Sequence, residues 1–252
     1  MFDKIIIITL EGEKKRQDYC REVMKKLGWD FEFFYAKRHP MGGTWGCYES
    51  HMLVIKRCMD EKLGYVLICE DDILPTKYFS QELMQKSFEF MKSNDKWTML
   101  KYGYSICNPK DIYDSYLKMK KINKNIFQFN SCLTHCYAIQ SKTCHQIYNL
   151  LKKNYQPSRD KYLHLDRLFY YQLNDVYHLV PMVMDQKWCF ETTNKVNNLS
   201  EKVLKRFGCL AERNELIPKM NLIIYNEKNY YMNLWLFLIP ILIVFLIYWF
   251  KN

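Results

Sequence analysis

The chain has none of the backbone devices by which proteins usually cradle phosphate. It contains no GxGxxG and no P-loop pattern, so a nucleotide phosphate must be held by side chains or by a cation. It has no Cys-x-x-Cys and no internal repeat, which removes the common zinc ribbons, thioredoxin-like redox sites and solenoids from consideration. It also lacks a basic arm. Lys+Arg 37 against Asp+Glu 27 gives a net charge of +10, but the excess is spread along the chain, with modest clusters at 14–16, 118–124 and 152–153. Such a charge is a general attraction to anions, such as phosphorylated substrates or an acidic membrane surface. No nucleic-acid motif accompanies it, and no nucleic-acid partner is expected. Residues 5–10 are apolar but short and run straight into a charged stretch, so no secretory leader is read there.

What is present begins with size and core. A length of 252 residues suits one sizeable domain, and 49% hydrophobic with 16% aromatic residues excludes disorder. The 10 Cys stand at irregular spacings, which fits buried thiols in a reducing compartment. Cys132-x3-Cys136, with His135 and His145 nearby, has the look of half a zinc site, but no second half accompanies it and Cys136 lies in an apolar strand pattern.

The chain is organised around residues 65–74. A short apolar run, Tyr65-Val66-Leu67-Ile68-Cys69, ends abruptly in Glu70, Asp71 and Asp72, and apolar character returns at Ile73 and Leu74. Bounded by Gly64 and Pro75, the run reads as a strand buried on both faces. Ligands of open α/β sheets bind beyond the carboxyl ends of strands. Three adjacent acids raise one another's pKa unless a positive charge offsets them, and carboxylate oxygens suit Mg²⁺ or Mn²⁺. The functional expectation is a metal-bound diphosphate at the tip of this strand. The alternative is a solvated turn that caps the next helix.

Around that strand the pattern alternates. Strands are expected at 4–9, 31–36 and 97–101, the last ended by Gly103, with helices at 13–27, from 44 or 45 to about 62, and at 78–91. In the second of these helices Met52, Leu53, Ile55 and Met59 are expected to face inward. Residues 106–125 read as a loop long enough to cover a site. Strands at 127–129, 135–139 and 176–180 and helices at 141–153 and 164–173 complete the domain. The expected class is α/β, a Rossmann-type nucleotide-binding fold with a mainly parallel central sheet covered on both faces. The expected division is a catalytic domain at 1–193, a polar extension at 194–231 and a transmembrane helix at 232–250.

Residues 232–250 carry no charge and as a helix span ~28 Å, close to the hydrocarbon thickness. Tyr230, Tyr231, Trp235, Tyr248 and Trp249 supply aromatic belts, and Lys251 closes the segment. The expectation is a C-terminal tail anchor inserted after synthesis, with the preceding domain facing the cytosol. The sequon Asn198-Leu199-Ser200 points the other way, since it is usable only on a luminal side.

Gly46-Cys47-x-x-Ser50-His51, followed by an apolar strand ending in Glu70-Asp71-Asp72, resembles glycosyltransferase family 25. That family includes bacterial lipooligosaccharide glycosyltransferases and collagen hydroxylysine galactosyltransferases. Further matches follow in order. Arg16 stands after the first strand, His135-Cys-Tyr137-Ala-Ile-Gln-Ser141 precedes a helix, Asp166 comes next, and Pro181 and Gln186 follow the last strand. Where the family often has Asn-Leu after the first strand, this chain has Thr9-Leu10. The resemblance implies a GT-A fold, a UDP-sugar donor held at Thr9, Arg16, Ser50, His51, Glu70, Asp71 and Gln186, and Mn²⁺ (or Mg²⁺) on Asp72 and Glu70. It further implies inversion at the sugar carbon, with a carboxylate as base on the acceptor hydroxyl. Asp166 is the candidate base, with Asp185 and Glu191 next in order, and it can equally be a helix-surface acid beside Arg167.

Other residues carry two readings each. His51 contacts donor or metal, or is a satisfied helix histidine. Cys47 reads as a packing thiol, since no basic partner is evident. Tyr102 and Tyr104 stack on base or sugar, or belong to the core. Gln186 and Trp188 are within the stretch that would meet an acceptor, which is a glycan, a lipid-linked sugar or a hydroxylated side chain. The leading function is a metal-dependent transfer of galactose or glucose from a UDP-sugar. The alternatives are a catalytically silent glycan-binding or scaffold protein on the same fold, and a metal-dependent phosphohydrolase.

Overall fold

The computed structural model describes residues 2–105, 119–157 and 164–187. In chain order the elements are β1 (Lys4–Leu10), α1 (Lys14–Leu27), β2 (Glu32–Ala36), α2 (Gly43–Asp60), β3 (Tyr65–Glu70) and β4 (Ile73–Pro75). They continue with α3 (Gln81–Ser93), β5 (Met99–Ser105), β6 (Lys120–Lys121), β7 (Ile126–Gln128) and β8 (Cys132–Gln140). The series closes with α4 (Ser141–Asn154), α5 (Leu165–Gln172), β9 (Val176–Leu179) and β10 (Met184–Gln186).

The period of two along the strands builds three layers. In β1, Ile5 and Ile7 point to a core shared with Cys20 and Met24 of α1 and Met84, Phe88 and Met91 of α3. Ile6 and Ile8 point to the opposite core, with Tyr48, Met52 and Ile55 of α2 and Ile147 and Leu151 of α4. In β3, Leu67 and Cys69 join the first core, and Val66 and Ile68 the second. An uninterrupted β-branched run is therefore what a two-sided sheet requires. Each fully buried side chain of this size contributes about 1.5–3 kcal/mol. Gly28 ends α1 in the left-handed region at φ 67, where its N–H meets the Lys25 and Met24 carbonyls.

The main sheet has the order β2-β1-β3-β8-β5-β9-β7-β6. β1 lies parallel to both β2 and β3, and β5 is parallel to β9. β8 runs antiparallel between β3 and β5, and β7 opposes β9 and β6. The sheet is mixed but mostly of one direction, and its acid-tipped strand is internal, as expected. The reversal of β8 has a direct consequence. Cys69 pairs with Cys136, so the beginning of β8 lies beside the end of β3.

Several local expectations are corrected. α3 starts at Gln81, because the 76–79 segment forms its own turn and Ser80 caps the helix, its Oγ accepting from Leu83 N at 3.2 Å. Leu53 is 42% exposed, since it stands about 100° around α2 from Met52. Gly103 does not end β5; it lies within it at a register shift, and a Cβ there would stand 1.9 Å from His135 Nε2. A two-stranded ribbon of β4 and β10 was not anticipated. Most of the expected 106–125 loop, and all of 194–231 and 232–250, lie outside the described residues. Among the described residues no helix is long and apolar enough to cross a membrane.

Candidate active site

The tip of β3 places Glu70, Asp71 and Asp72 in three different surroundings. Asp71 is buried and satisfied by protein. Thr9 Oγ1, at the end of β1, donates to its Oδ2 at 2.7 Å, and Arg16 Nη1 of α1 donates to Oδ1 at 2.5 Å. Its backbone oxygen also accepts from Cys20 Sγ at 3.1 Å. Burial nevertheless outweighs Arg16 and Thr9 and holds the Asp71 carboxyl above its ordinary value. The expected grouping of Thr9, Arg16 and Asp71 is thus present, with the three side chains bonded to one another.

Glu70 is settled from two sides. Thr134 of β8 donates to its Oε1 at 3.1 Å, and His51 Nε2 of α2 stands 3.5 Å from the same oxygen. Burial alone would raise the Glu70 carboxyl, but His51, His135 and Thr134 together pull it below its ordinary value. His51 is fully buried, and its ring stacks on Tyr137 while its Nδ1 lies 2.8 Å from the Tyr137 hydroxyl. Thr134 is a member of this cluster that sequence reasoning missed. Its signal was available only from the antiparallel pairing of β8 with β3.

Asp72 is the least compensated. Arg16 Nη1 is 3.6 Å from its Oδ2, already engaged with Asp71, and Gln186 Nε2 reaches Oδ1 at 3.5 Å. The β4–β10 ribbon makes the second contact possible, since it pairs Gln186 with Ile73 and brings Lys187 N to the Asp72 carbonyl at 2.5 Å. Burial first, then the Glu70 charge and with it Asp71, push the Asp72 carboxyl up to about 8 against Arg16 and Gln186. A carboxylic acid that would keep its proton at neutral pH, at the end of a central strand, lacks positive charge.

Cys47 and His51 stand one turn apart on α2, so both face the same side of the helix. The ligand atoms of Cys47, His51 and Glu70 all lie within 4.8 Å of one another. Burial pushes the Cys47 thiol well up, and the charges of Glu70, Asp166 and Asp72 add to this. Ser50, expected at the donor, donates its hydroxyl to Gly46 O at 2.6 Å, one turn back in its own helix.

Asp166 opens α5. Its Oδ1 accepts from Arg167 N at 2.8 Å and its Oδ2 from Leu133 N at 3.4 Å. Leu133 has φ 66, a left-handed conformation uncommon for a leucine. A buried Lys101 holds that turn, its Nζ donating to the carbonyls of Ser131 and Leu133 at 2.9 Å and of Cys132 at 3.4 Å. Asp166 is thereby tied to the residue before Thr134, and through it to Glu70.

The remaining expectations resolve as core. The Tyr102 hydroxyl lies 2.9 Å from Ser87 Oγ, and Tyr104 donates to Leu179 O at 3.4 Å; both are buried. Cys136 Sγ lies 3.6 Å from Cys69 Sγ, His135 Nε2 is 3.3 Å from Met184 O and His145 Nδ1 is 3.1 Å from Met59 Sδ, so the half zinc site does not assemble. Asp185 is buried and accepts from Gln186 N at 2.7 Å. Trp188 and Glu191 lie outside the described residues.

No curated protein matches this chain. Solved structures show distant likeness. A UDP-glucose pyrophosphorylase complexed with UDP-glucose is 9% identical with a TM-score of 0.43, over 73% of this chain and 74% of that one. A glycosyltransferase involved in the glycosylation of the major capsid of PBCV-1 is 10% identical with a TM-score of 0.43, over 85% of this chain and 97% of that one. A CTP:phosphocholine cytidylyltransferase from Streptococcus pneumoniae is 14% identical with a TM-score of 0.39, over 81% and 78%. The sequence model described as Glycosyltransferase family 25 (LPS biosynthesis protein) matches residues 37–168. The matched stretch contains Cys47, Ser50, His51, the three acids, Thr134 and Asp166, and the protein belongs to glycosyltransferase family 25.

Proposed function

We propose that this glycosyltransferase moves a hexose, galactose or glucose, from a UDP-sugar to a hydroxyl of a glycan or hydroxylated acceptor, with inversion at the sugar carbon. The observation that carries the reading is Asp72, an acid at a strand tip pushed up to about 8 by burial and by the neighbouring Glu70 charge, which Arg16 offsets only in part. This chemistry fits a hard divalent cation, Mn²⁺ or Mg²⁺, held by Asp72 with Glu70 two residues before it. When bound, such a cation offsets charge on the departing nucleoside diphosphate. The chain's own residues supply the rest. Arg16, already turned toward Asp71 and Asp72, orients the anionic donor, with Thr9 and Gln186 on either side. His51 places α2 against the same tip. Asp166 takes the proton of the acceptor hydroxyl at a carboxylate oxygen, steadied by its contact with the Leu133 turn that Lys101 holds. A GT-A arrangement accords with the internal acid-tipped strand.

The test is a panel of UDP-sugars with Mn²⁺, reading both UDP release and transfer. Asp72→Asn is expected to lower transfer at least 10²-fold while the fold survives. Transfer that persists in EDTA, or full activity in Asp72→Asn, removes the cation role. No turnover with any UDP-sugar would leave the glycan-binding reading, and release of inorganic phosphate the phosphohydrolase.

Residues 232–250 are proposed as a membrane anchor with the catalytic domain toward the cytosol. The uncharged apolar run with aromatics at both ends supports this. Protease added to intact microsomes should digest the domain. Protection, or endoglycosidase-sensitive mass on Asn198, reverses the orientation.

A further inference from the structure

Next to Asp72 stands a set of ligands of a different character. Cys47, His51 and Glu70 combine a thiol, an imidazole and a carboxylate, with ligand atoms within 4.8 Å of one another. Hard cations choose oxygen sets; sulfur and imidazole choose zinc and its neighbours.

His51 points to a ligand independently. The ring is fully buried, and Nε2 is a buried nitrogen with no hydrogen-bond partner. Its separation from Glu70 Oε1 is 3.5 Å. That is too long for an ordinary N–H···O bond, which runs to about 3.2 Å. It matches the edge of a tetrahedron with arms of about 2.0–2.1 Å, which is about 3.4 Å. The other ring nitrogen is fixed by Tyr137, whose hydroxyl lies 2.8 Å from Nδ1. If Nδ1–H donates to that hydroxyl, Nε2 carries the lone pair and faces Glu70. A ring N–H tied to an outer partner is the usual support of a metal-binding histidine. Thr134, donating to Glu70 Oε1 at 3.1 Å, anchors the carboxylate in the same way.

We propose that Cys47, His51 and Glu70 form a three-ligand site for a borderline-soft divalent cation of the zinc class, different in chemistry from the hard-cation site at Asp72, with which it shares the Glu70 carboxylate. On binding, the Cys47 Sγ–H bond gives its proton to solvent and the thiolate sulfur becomes a ligand, so affinity rises with pH. The trio joins α2 to the tip of β3, and the cation would fix Glu70 without drawing on the Asp72 oxygens.

The experiment uses the full chain, stripped with chelator and titrated with Co²⁺ alone. One equivalent should bind, with thiolate-to-cobalt charge transfer in the near ultraviolet and the visible bands of four-coordinate Co²⁺, and Zn²⁺ should abolish both. Cys47→Ser is expected to lose the charge-transfer band and at least tenfold in affinity. His51→Gln should weaken binding by roughly 10–100-fold, and Asp72→Asn should leave the spectrum unchanged. Should Cys47→Ser not fold, alkylation of Cys47 in the unaltered protein replaces it: Zn²⁺ should protect that thiol. No band in the unaltered chain, a band that survives Cys47→Ser, or alkylation indifferent to Zn²⁺ overturns the site. The measurement needs no sugar donor. Loss of the cobalt spectrum with transfer intact rejects this site alone, and the reverse rejects the transfer reading alone.

Discussion

The two flanks of the β3 tip use the same residue types and settle their charges differently. On the α1 flank, Asp71 meets Thr9 and Arg16 at 2.7 and 2.5 Å, and protein alone satisfies it. On the other side, the Asp72 carboxylate has contacts only at 3.5 and 3.6 Å, and Cys47 of α2 lies with Glu70 within 4.8 Å. The first flank is a brace that holds β1, α1 and β3 in register. The second is short of positive charge, which is the condition under which a cation or a cationic transition state is favoured. The same Arg16 stands nearer to Asp71 than to Asp72, and the proposed cation role rests on that inequality.

The sharpest way to break this comparison is through Asp166, the candidate base, tied to the Thr134 side of Glu70 through Leu133. As the base it contributes roughly 10²–10⁴ in rate. Asp166→Asn should lower turnover by that factor with little change in UDP-sugar affinity, measured by steady-state kinetics and by calorimetric titration of UDP-sugar. Near-normal turnover would move the base elsewhere, with Asp185 or Glu191 next in order.

The opposite flank should respond in stability. Arg16→Leu leaves the buried Asp71 carboxylate without its cation, and breaking such a pair costs about 3–5 kcal/mol. The lower end applies here because Arg16 keeps some access to water, with 14% of its side chain exposed. Thr9→Val removes one hydrogen bond to the same carboxylate and should cost about 1–3 kcal/mol. Denaturant midpoints at constant slope measure both. If Arg16→Leu is as stable as the unaltered protein, the brace is wrongly assigned and Arg16 serves the donor alone.

The parts of the site that were legible in the sequence are those carried by local pattern. The isoleucines of β1, the stop at Gly28 and the acids after Cys69 follow from strand burial, helix capping and the alternation of apolar and charged residues, and they fall within a residue or two of the observed elements. What could not be read is what depends on long-range pairing. β4 and β10 have three residues each, too few to show a period. The reversal of β8 leaves no local mark, so Thr134 and the turn at Leu133 had no address at the site. Gly103 read as a strand end because a glycine usually interrupts strands; here it makes room for the His135 ring across the sheet. Cys47 packs against the second core as read, but a helix sequence shows its neighbours at one and four residues and not the Glu70 carboxylate arriving from β3.

The smallest expected effect is also the most direct on the charge shortage. Asp72 ordinarily titrates at 3.8 and in the folded protein at about 8. Between those values the native state holds a proton that the unfolded chain releases, so this contribution to stability is complete below about 4 and is lost as pH rises through about 8. Glu70, held below its ordinary 4.5, has the opposite sign, but its window lies below that value and does not overlap the upper part of this one. Buried His135 and His178, held below their ordinary 6.5, act in the opposite sense up to that value and are common to both proteins, so the test is the difference. Thermal melts should show Tm of the unaltered protein falling relative to that of Asp72→Asn from pH 5 to pH 8. The variant should melt higher than the unaltered protein at pH 8 by about 2–4 °C for each kcal/mol recovered. Mn²⁺ with UDP should flatten the slope of the unaltered protein in the same direction, because a bound cation favours the ionised carboxylate. Equal slopes for the two proteins would mean that Asp72 is ionised at neutral pH and as well compensated as Asp71, and the contrast between the flanks would be lost.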